Sequence, residues 1–279
     1  MLTSKFCGRN DFYSTKNSLR KELQSDIEEY KDDYNMVIQE RENKRFVFVH
    51  QSPQHSYRKF LVDYLRKICI EKELTHCCLH LATYILDVFM DNHQIDPKRL
   101  VMVANTSLIL AAKFEESIVD IPDLDELILI TDKTSVSYYI NLEIMILRFF
   151  RWDIMIPTAA HYVHYYMQAI LSKEDIKSDE KPRNLIFELT HFINKYLDEL
   201  LDDVHFMQNY SPSRLAAALI AASRLQLGLE LWNENLTDFT KYSKDDIQEP
   251  LEALLLGRKH FNCITCNSMK INSEKIVFW

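Results

Sequence analysis

The chain holds 3 glycines in 279 residues, against a usual share of ~7%. So little glycine leaves almost no material for phosphate-cradling loops, nucleophile elbows or other turns that need a positive φ. An active site built on tight loops is therefore disfavoured, and an all-helical protein is expected. Long apolar runs are missing as well. The longest, Leu100 to Ala112, is interrupted by Asn105, Thr106 and Ser107, too short and too polar to cross a bilayer. The opening "MLTSKFCGRNDFYSTKN" has no apolar core of the signal-peptide kind. The expectation is an intracellular protein, nuclear or cytoplasmic, whose 6 cysteines are reduced thiols. Positive charge is in deficit: the net charge of −8 disfavours direct binding to nucleic acid or to anionic membranes.

What the chain does have is apolar material, 47% of residues, in punctuated segments long enough to bury a core. Pro53, Pro97, Pro122, Pro157 and Pro212 each precede an apolar-periodic stretch, as proline does in a first helical turn. Asp96, Thr158 and Ser211 stand where N-caps belong. The pattern predicts a charged helix over 18–42 and an extended segment over 46–51. Five helices follow over 54–72, 75–93, 97–115, 121–131 and 134–151, and five more over 158–172, 183–203, 212–228, 232–240 and 244–260. "LILAAKF" at 108–114 can be laid on "LIAASRL" at 219–225, and the two sets of five read as an internal duplication. In each set the third helix is the most apolar and should be the centre of its bundle. The expected architecture is all-α: two tandem five-helix bundles with an additional N-terminal helix. The expected divisions are 1–45, 46–156, 157–262 and a tail, 263–279.

One stretch stands out. "LILAAKFEE", Leu108 to Glu116, is a core helix that ends in a lysine, a phenylalanine and two acids. A cation in the last turn faces unpaired carbonyls, so Lys113 reads first as a dipole cap.

Taken together, "YRKFLVDYL", "LHLATYILDVF", "LILAAKFEE", "INLEIMILRFFRWDIMIPTAAHYVHYY" and "YSKDDIQEPLEALL" resemble the cyclin family over residues 54–260, and J-type cyclins most closely. The resemblance implies a regulatory subunit, with no catalytic residues or cofactor of its own, that binds a cyclin-dependent protein kinase and positions its αC helix. It implies that Lys113 and Glu143 bond backbone groups of the kinase, with Leu110, Phe114, Leu147 and Trp152 as the apolar surround. It implies a structural ion pair between Arg58 and Asp87. It also implies a groove for the docking motifs of substrate or inhibitor proteins, at Tyr57, Phe60, Leu61, Tyr64, Lys67, Leu100 and Val101. Tyr57 and Tyr64 stand there in place of the commonest Met and Trp. Lys67 stands in place of an acid, and Val101 in place of a polar residue. Two alternatives stay open: a cyclin-fold scaffold without kinase activation, and a transcription-type adaptor.

Other patterns are weaker. "CITC" at 263–266 has zinc-ligand spacing, with His260 as a third donor, but no second pair lies near. His76 with His80 and His161 with His164 are expected in the core or at the surface, and no metal site is expected. Tyr162, Tyr165 and Tyr166 read as packing residues. Ser211 in "SPSR" reads as an N-cap rather than a phosphosite, and Ser52 before Pro53 is the better phosphosite candidate. "RKEL" at 20–23 is a chance-level destruction-box match, and "YLDELLDD" at 196–203 reads as an exposed helix face.

Overall fold

The computed structural model describes residues 33–46, 49, 52–131, 135–172, 174–175 and 182–256. No strand occurs among them. The helices are α1 (33–43), α2 (Arg58–Glu71), α3 (His76–Asn92), α4 (Leu100–Glu115), α5 (Leu124–Thr131), α6 (Val136–Phe149), α7 (Ala159–Tyr166), α8 (Pro182–Asp202), α9 (Val204–Asn209), α10 (Pro212–Gln226), α11 (Glu234–Thr240) and α12 (Lys244–Leu256). No helix among the described residues is long and apolar enough to cross a membrane. The expected helix over 18–42 is seen from residue 33 onward. Its earlier part, "RKEL", "CITC", His260 and the tail lie outside the described residues.

The expected punctuation is present. Asp96 accepts from the Lys98 N–H at 3.0 Å, and Ser211 accepts from the Arg214 N–H at 3.4 Å. Thr158 opens α7 in a reciprocal capping box whose returning partner is His161, where Glu or Gln is usual. Scarce glycine does not abolish the left-handed turns; it moves them onto other residues. Glu73, Arg151, Trp152 and Lys241 all have positive φ. Of the segment expected to be extended over 46–51, Phe46 and Val49 are described, and Phe46 turns inward. Its ring lies 5.2 Å from both Phe149 and Phe150. Asp91 then holds the next residues, accepting from the N–H groups of Val49 and Ser52 at 3.0 Å.

Helices α2–α6 form the first bundle, and α7, α8 and α10–α12 the second. As the duplication predicts, α4 and α10 are the buried centres. The short α9 was not foreseen. Its six residues are too few to show a periodicity.

The two bundles share a seam. Leu201 of α8 inserts into the first core, and Ile38 of α1 belongs to the second. The buried Arg58 guanidinium grips both Asp87 carboxylate oxygens, at 2.9 and 2.8 Å. It also donates to the Leu201 carbonyl at 2.7 Å. That carbonyl lies in the last turn of α8, where no intrahelical donor remains. The acidic face of α8 is only half exposed: Arg66 of α2 donates to the Asp202 carboxylate at 2.8 Å. The His80 imidazole of α3 lies 3.2 Å from the Leu197 carbonyl. Helix α1 lies along the second bundle, where Glu42 accepts from the Ser213 N–H and hydroxyl, both at 2.8 Å. That places an anion at the positive end of α10.

The second bundle contains a pair the sequence did not suggest. Arg224, fully buried, donates to both oxygens of Asp175 at 2.9 and 2.8 Å. It donates also to the carbonyls of Ile170 at 2.5 Å and Glu230 at 2.8 Å. Burial alone would raise the Asp175 carboxyl, but the Arg224 and Ser172 hydrogen bonds outweigh it and hold the group below its ordinary value.

Two predictions follow from this packing. Arg224→Ala should cost about 3–5 kcal/mol in urea unfolding, since it strands a buried carboxylate. Lys59→Ala, which removes only an exposed pair with Asp63, should cost below about 1 kcal/mol. The second concerns His80, which burial first, and then His76, lowers from 6.5 to about 3. The folded state keeps the ring neutral while the unfolded chain protonates it. Stability is therefore complete above the unfolded value and falls with pH from about 6.5 toward 3, by up to about 1.4 kcal/mol per unit. Unfolding series between pH 7 and 4.5 should show a shallower fall in His80→Gln than in the wild type. Equal slopes would refute this.

Candidate functional site

The last turn of α4 and the middle of α6 reach the surface side by side. Lys113 and Glu143 meet there, Nζ to Oε1 at 2.5 Å. Their side chains are 48% and 23% exposed. Lys113 is thus not simply a dipole cap, because its ammonium reaches across to a neighbouring helix. Glu143, flanked by apolar residues on both sides, is mostly covered and has the partner such a position requires.

Apolar surface surrounds the pair. Phe114, next to Lys113, is exposed, and Leu147 is partly so. Trp152 follows α6 and is 64% exposed. Arg151 and Trp152 are left-handed in succession, at φ 57° and 63°, which costs non-glycine residues roughly 1–2 kcal/mol each. The turn is held by the Trp152 N–H donating to the Leu147 carbonyl at 2.7 Å. The sequence reading missed Ile118 and Val119, 88% and 89% exposed just beyond α4, and the exposed Ile140 and Met145 on α6. Two adjacent β-branched residues after a charge cluster gave no periodic signal. Exposed apolar side chains on the segments that carry an ion pair are the composition of a partner-binding surface.

Leu110 departs from the expectation. It is 2% exposed and belongs to the first core. Helix α4 is apolar on nearly every side, so its sequence does not reveal which leucine faces outward.

The expected groove is built less completely. Tyr57 is exposed and Phe60 is 59% exposed. Leu61 and Leu100 are core residues instead, so they offer at most a floor. Tyr64 is partly buried, its hydroxyl donating to Asn105 Oδ1 at 2.8 Å. This bond pins the ring between α2 and α4 and explains a polar residue in the middle of α4. Lys67 is exposed, 3.8 Å from Glu71, and Val101 is partly exposed. Arg58 and Asp87 form the expected ion pair, and the contact with Leu201 adds a role in joining the bundles.

The other motifs resolve individually. Ser213 is buried and Ser211 caps α10. The Ser52 hydroxyl donates to Gln54 Oε1 at 2.6 Å. Tyr162, Tyr165 and Tyr166 pack in the second core. His164 is exposed, whereas His76 and His161 face carboxylates, Asp198 at 3.6 Å and Glu115 at 2.8 Å. Those acids come from other helices, which helix spacing cannot reveal.

Comparison with known proteins agrees with this architecture. Residues 29–155 match the family model "Cyclin, N-terminal domain", and residues 157–261 match "Cyclin, C-terminal domain". Cyclin-J of Xenopus laevis is 31% identical over 235 residues, covering 81% of this chain and 61% of that protein. The Cyclin-J-like protein of Mus musculus is 32% identical over 237 residues, with the same coverage. The chain thus spans about three fifths of the length of these relatives. Among solved structures, a viral cyclin from herpesvirus saimiri superposes with a TM-score of 0.56 at 17% identity, over 72% of this chain and 85% of that one. A chain of the yeast RNA Pol II CTD kinase CTDK-1 complex superposes with a TM-score of 0.55 at 13% identity, over 78% and 70%. With both boxes matched in order and built as two packed helical bundles, the chain belongs to the cyclin family.

Proposed function

We propose that this chain is the regulatory subunit of a cyclin-dependent protein kinase, with no catalytic centre of its own, acting in cell-cycle control inside the cell, in the nucleus or cytoplasm. The observation that carries the reading is the Lys113–Glu143 pair at 2.5 Å, set among exposed apolar side chains. Similarity to chains from kinase complexes supports it, as does similarity to mitotic cyclins A and B2.

The pair suits exchange between partners. A half-exposed ion pair contributes only ~0–1 kcal/mol, so opening it costs little. The freed ammonium donates to backbone carbonyls of the kinase, and the carboxylate accepts from its N–H groups. Inside a dry interface, losing one such charged bond costs about 2–5 kcal/mol. Phe114, Leu147 and Trp152 exclude water around it. Holding the kinase αC helix there places the kinase's own Lys–Glu pair for phosphoryl transfer.

Glu143→Lys and Lys113→Glu should each abolish binding to, and activation of, a panel of purified cyclin-dependent kinases, while circular dichroism stays unchanged. The double swap Lys113→Glu with Glu143→Lys restores the internal ion pair but presents reversed charges, and should also fail to bind. Normal activation by the folded double swap would sink the assignment.

Substrate or inhibitor selection through the α2 surface belongs to the same proposal. Phe60 and Tyr57 crowd the surface, and Lys67 repels an incoming arginine. Standard Arg-x-Leu docking peptides should bind weakly or not at all in fluorescence polarisation, and Lys67→Glu should strengthen them. Leu61 is core, so Phe60→Ala is the informative control. Tight binding by the wild type, around micromolar and lost in Phe60→Ala, would overturn this part.

A further inference from the structure

On the inner side of the same last turn of α4, three side chains from three helices converge at the seam: Cys77 of α3, Glu115 of α4 and His161 of α7. One donor atom of each lies within 4.8 Å of the others. All three are partly buried. The first two belong to one box and the third to the other. We propose that Cys77, Glu115 and His161 form a divalent-cation site of zinc type that fastens the two boxes together.

The donor set favours this metal. Thiolate, imidazole and carboxylate are all zinc ligands, and three protein ligands with a water complete a tetrahedron. Tetrahedral zinc holds its donors roughly 3.3–3.6 Å apart, given bond lengths of about 2.0–2.3 Å. His161 Nε2 and Glu115 Oε1 are at 2.8 Å and all three donors lie within 4.8 Å of one another, so seating a metal needs side-chain shifts of roughly an ångström. Charge is balanced too, since one thiolate and one carboxylate neutralise a dication.

The imidazole already has the support a ligand needs. A metal-bound histidine donates its other N–H to an oxygen that fixes the ring. His161 Nδ1 lies 2.7 Å from the Thr158 hydroxyl, which can take that role and leave the Nε2 lone pair facing Cys77 and Glu115. Without metal the other tautomer is satisfied: Nε2–H donates to Glu115, and Nδ1 accepts from the Thr158 N–H at 3.1 Å. Metal binding would exchange the Thr158 N–H bond to Nδ1 for one from Nδ1–H to the Thr158 hydroxyl.

The test uses the full chain with Cys263→Ser and Cys266→Ser, which removes the "CITC" thiols as rival ligands. Chelator-stripped protein is titrated with cobalt(II), then competed with zinc(II). The expected result is one equivalent of cobalt, a near-ultraviolet sulfur-to-cobalt band, displacement by zinc, and a higher melting temperature in the zinc-loaded protein. Cys77→Ser should abolish the band. His161→Gln keeps a capping-box residue and so separates ligation from folding. It and Glu115→Gln should each remove saturable binding while circular dichroism stays wild-type. Absence of saturable binding by the folded parent overturns the site, and so does a band that survives Cys77→Ser or full affinity in folded His161→Gln. Kinase binding is not the readout, so failure here is distinct from failure of the proposed function.

Discussion

The buried Arg58 guanidinium is the constraint on which the remaining geometry depends. One edge is held by both oxygens of Asp87, and another donor reaches the Leu201 carbonyl at the end of α8. A buried ion pair is weak evidence of net stability, because desolvation offsets attraction. Its effect is positional: with all three nitrogens engaged, the group fits one arrangement of α2, α3 and α8. Leu201 then enters the first core, Arg66 meets Asp202, and His80 meets Leu197. With the seam fixed, Lys113 and Phe114 in the last turn of α4 are left at the surface beside Glu143 of α6, while Glu115 of the same turn faces His161 of the second box.

The second box uses the same chemistry elsewhere. Arg224 and Asp175 repeat the bidentate buried pair, but it ties α10 to the segment after α7, within one box. Here the duplication shows its divergence. The last turn of α4 puts Lys113 outward to Glu143, while the last turn of α10 turns Arg224 fully inward. Two copies of one helix thus carry opposite solutions for a cation near the C-terminus. One is exposed and exchangeable, the other buried and structural.

Much of this was legible in the sequence because it is local. Prolines with N-caps, short apolar repeats and low glycine located the helices and the two buried centres. Family resemblance singled out Lys113 and Glu143 as partner-binding residues and paired Arg58 with Asp87; that Lys113 and Glu143 meet each other was not read from it. What could not be read depends on facing and on distance along the chain. Leu61, Leu100 and Leu110 were expected at surfaces and are core, since a helix apolar all round does not show which side is outward. Arg224 and Asp175 lie 49 positions apart, in segments with no shared pattern. His161 was set aside for lack of a carboxylate on its own helix, yet Glu115 comes from another.

The central claim is that the exposed ends of α4 and α6, ordered by the seam, are where a kinase is held. Hydrogen–deuterium exchange of the chain with and without a cognate cyclin-dependent kinase tests it most directly. The account predicts slowed exchange over residues 113–119 and 143–153 on complex formation, with little change in α11 and α12. Protection confined to the second box, with 113–119 and 143–153 unaltered, would contradict it.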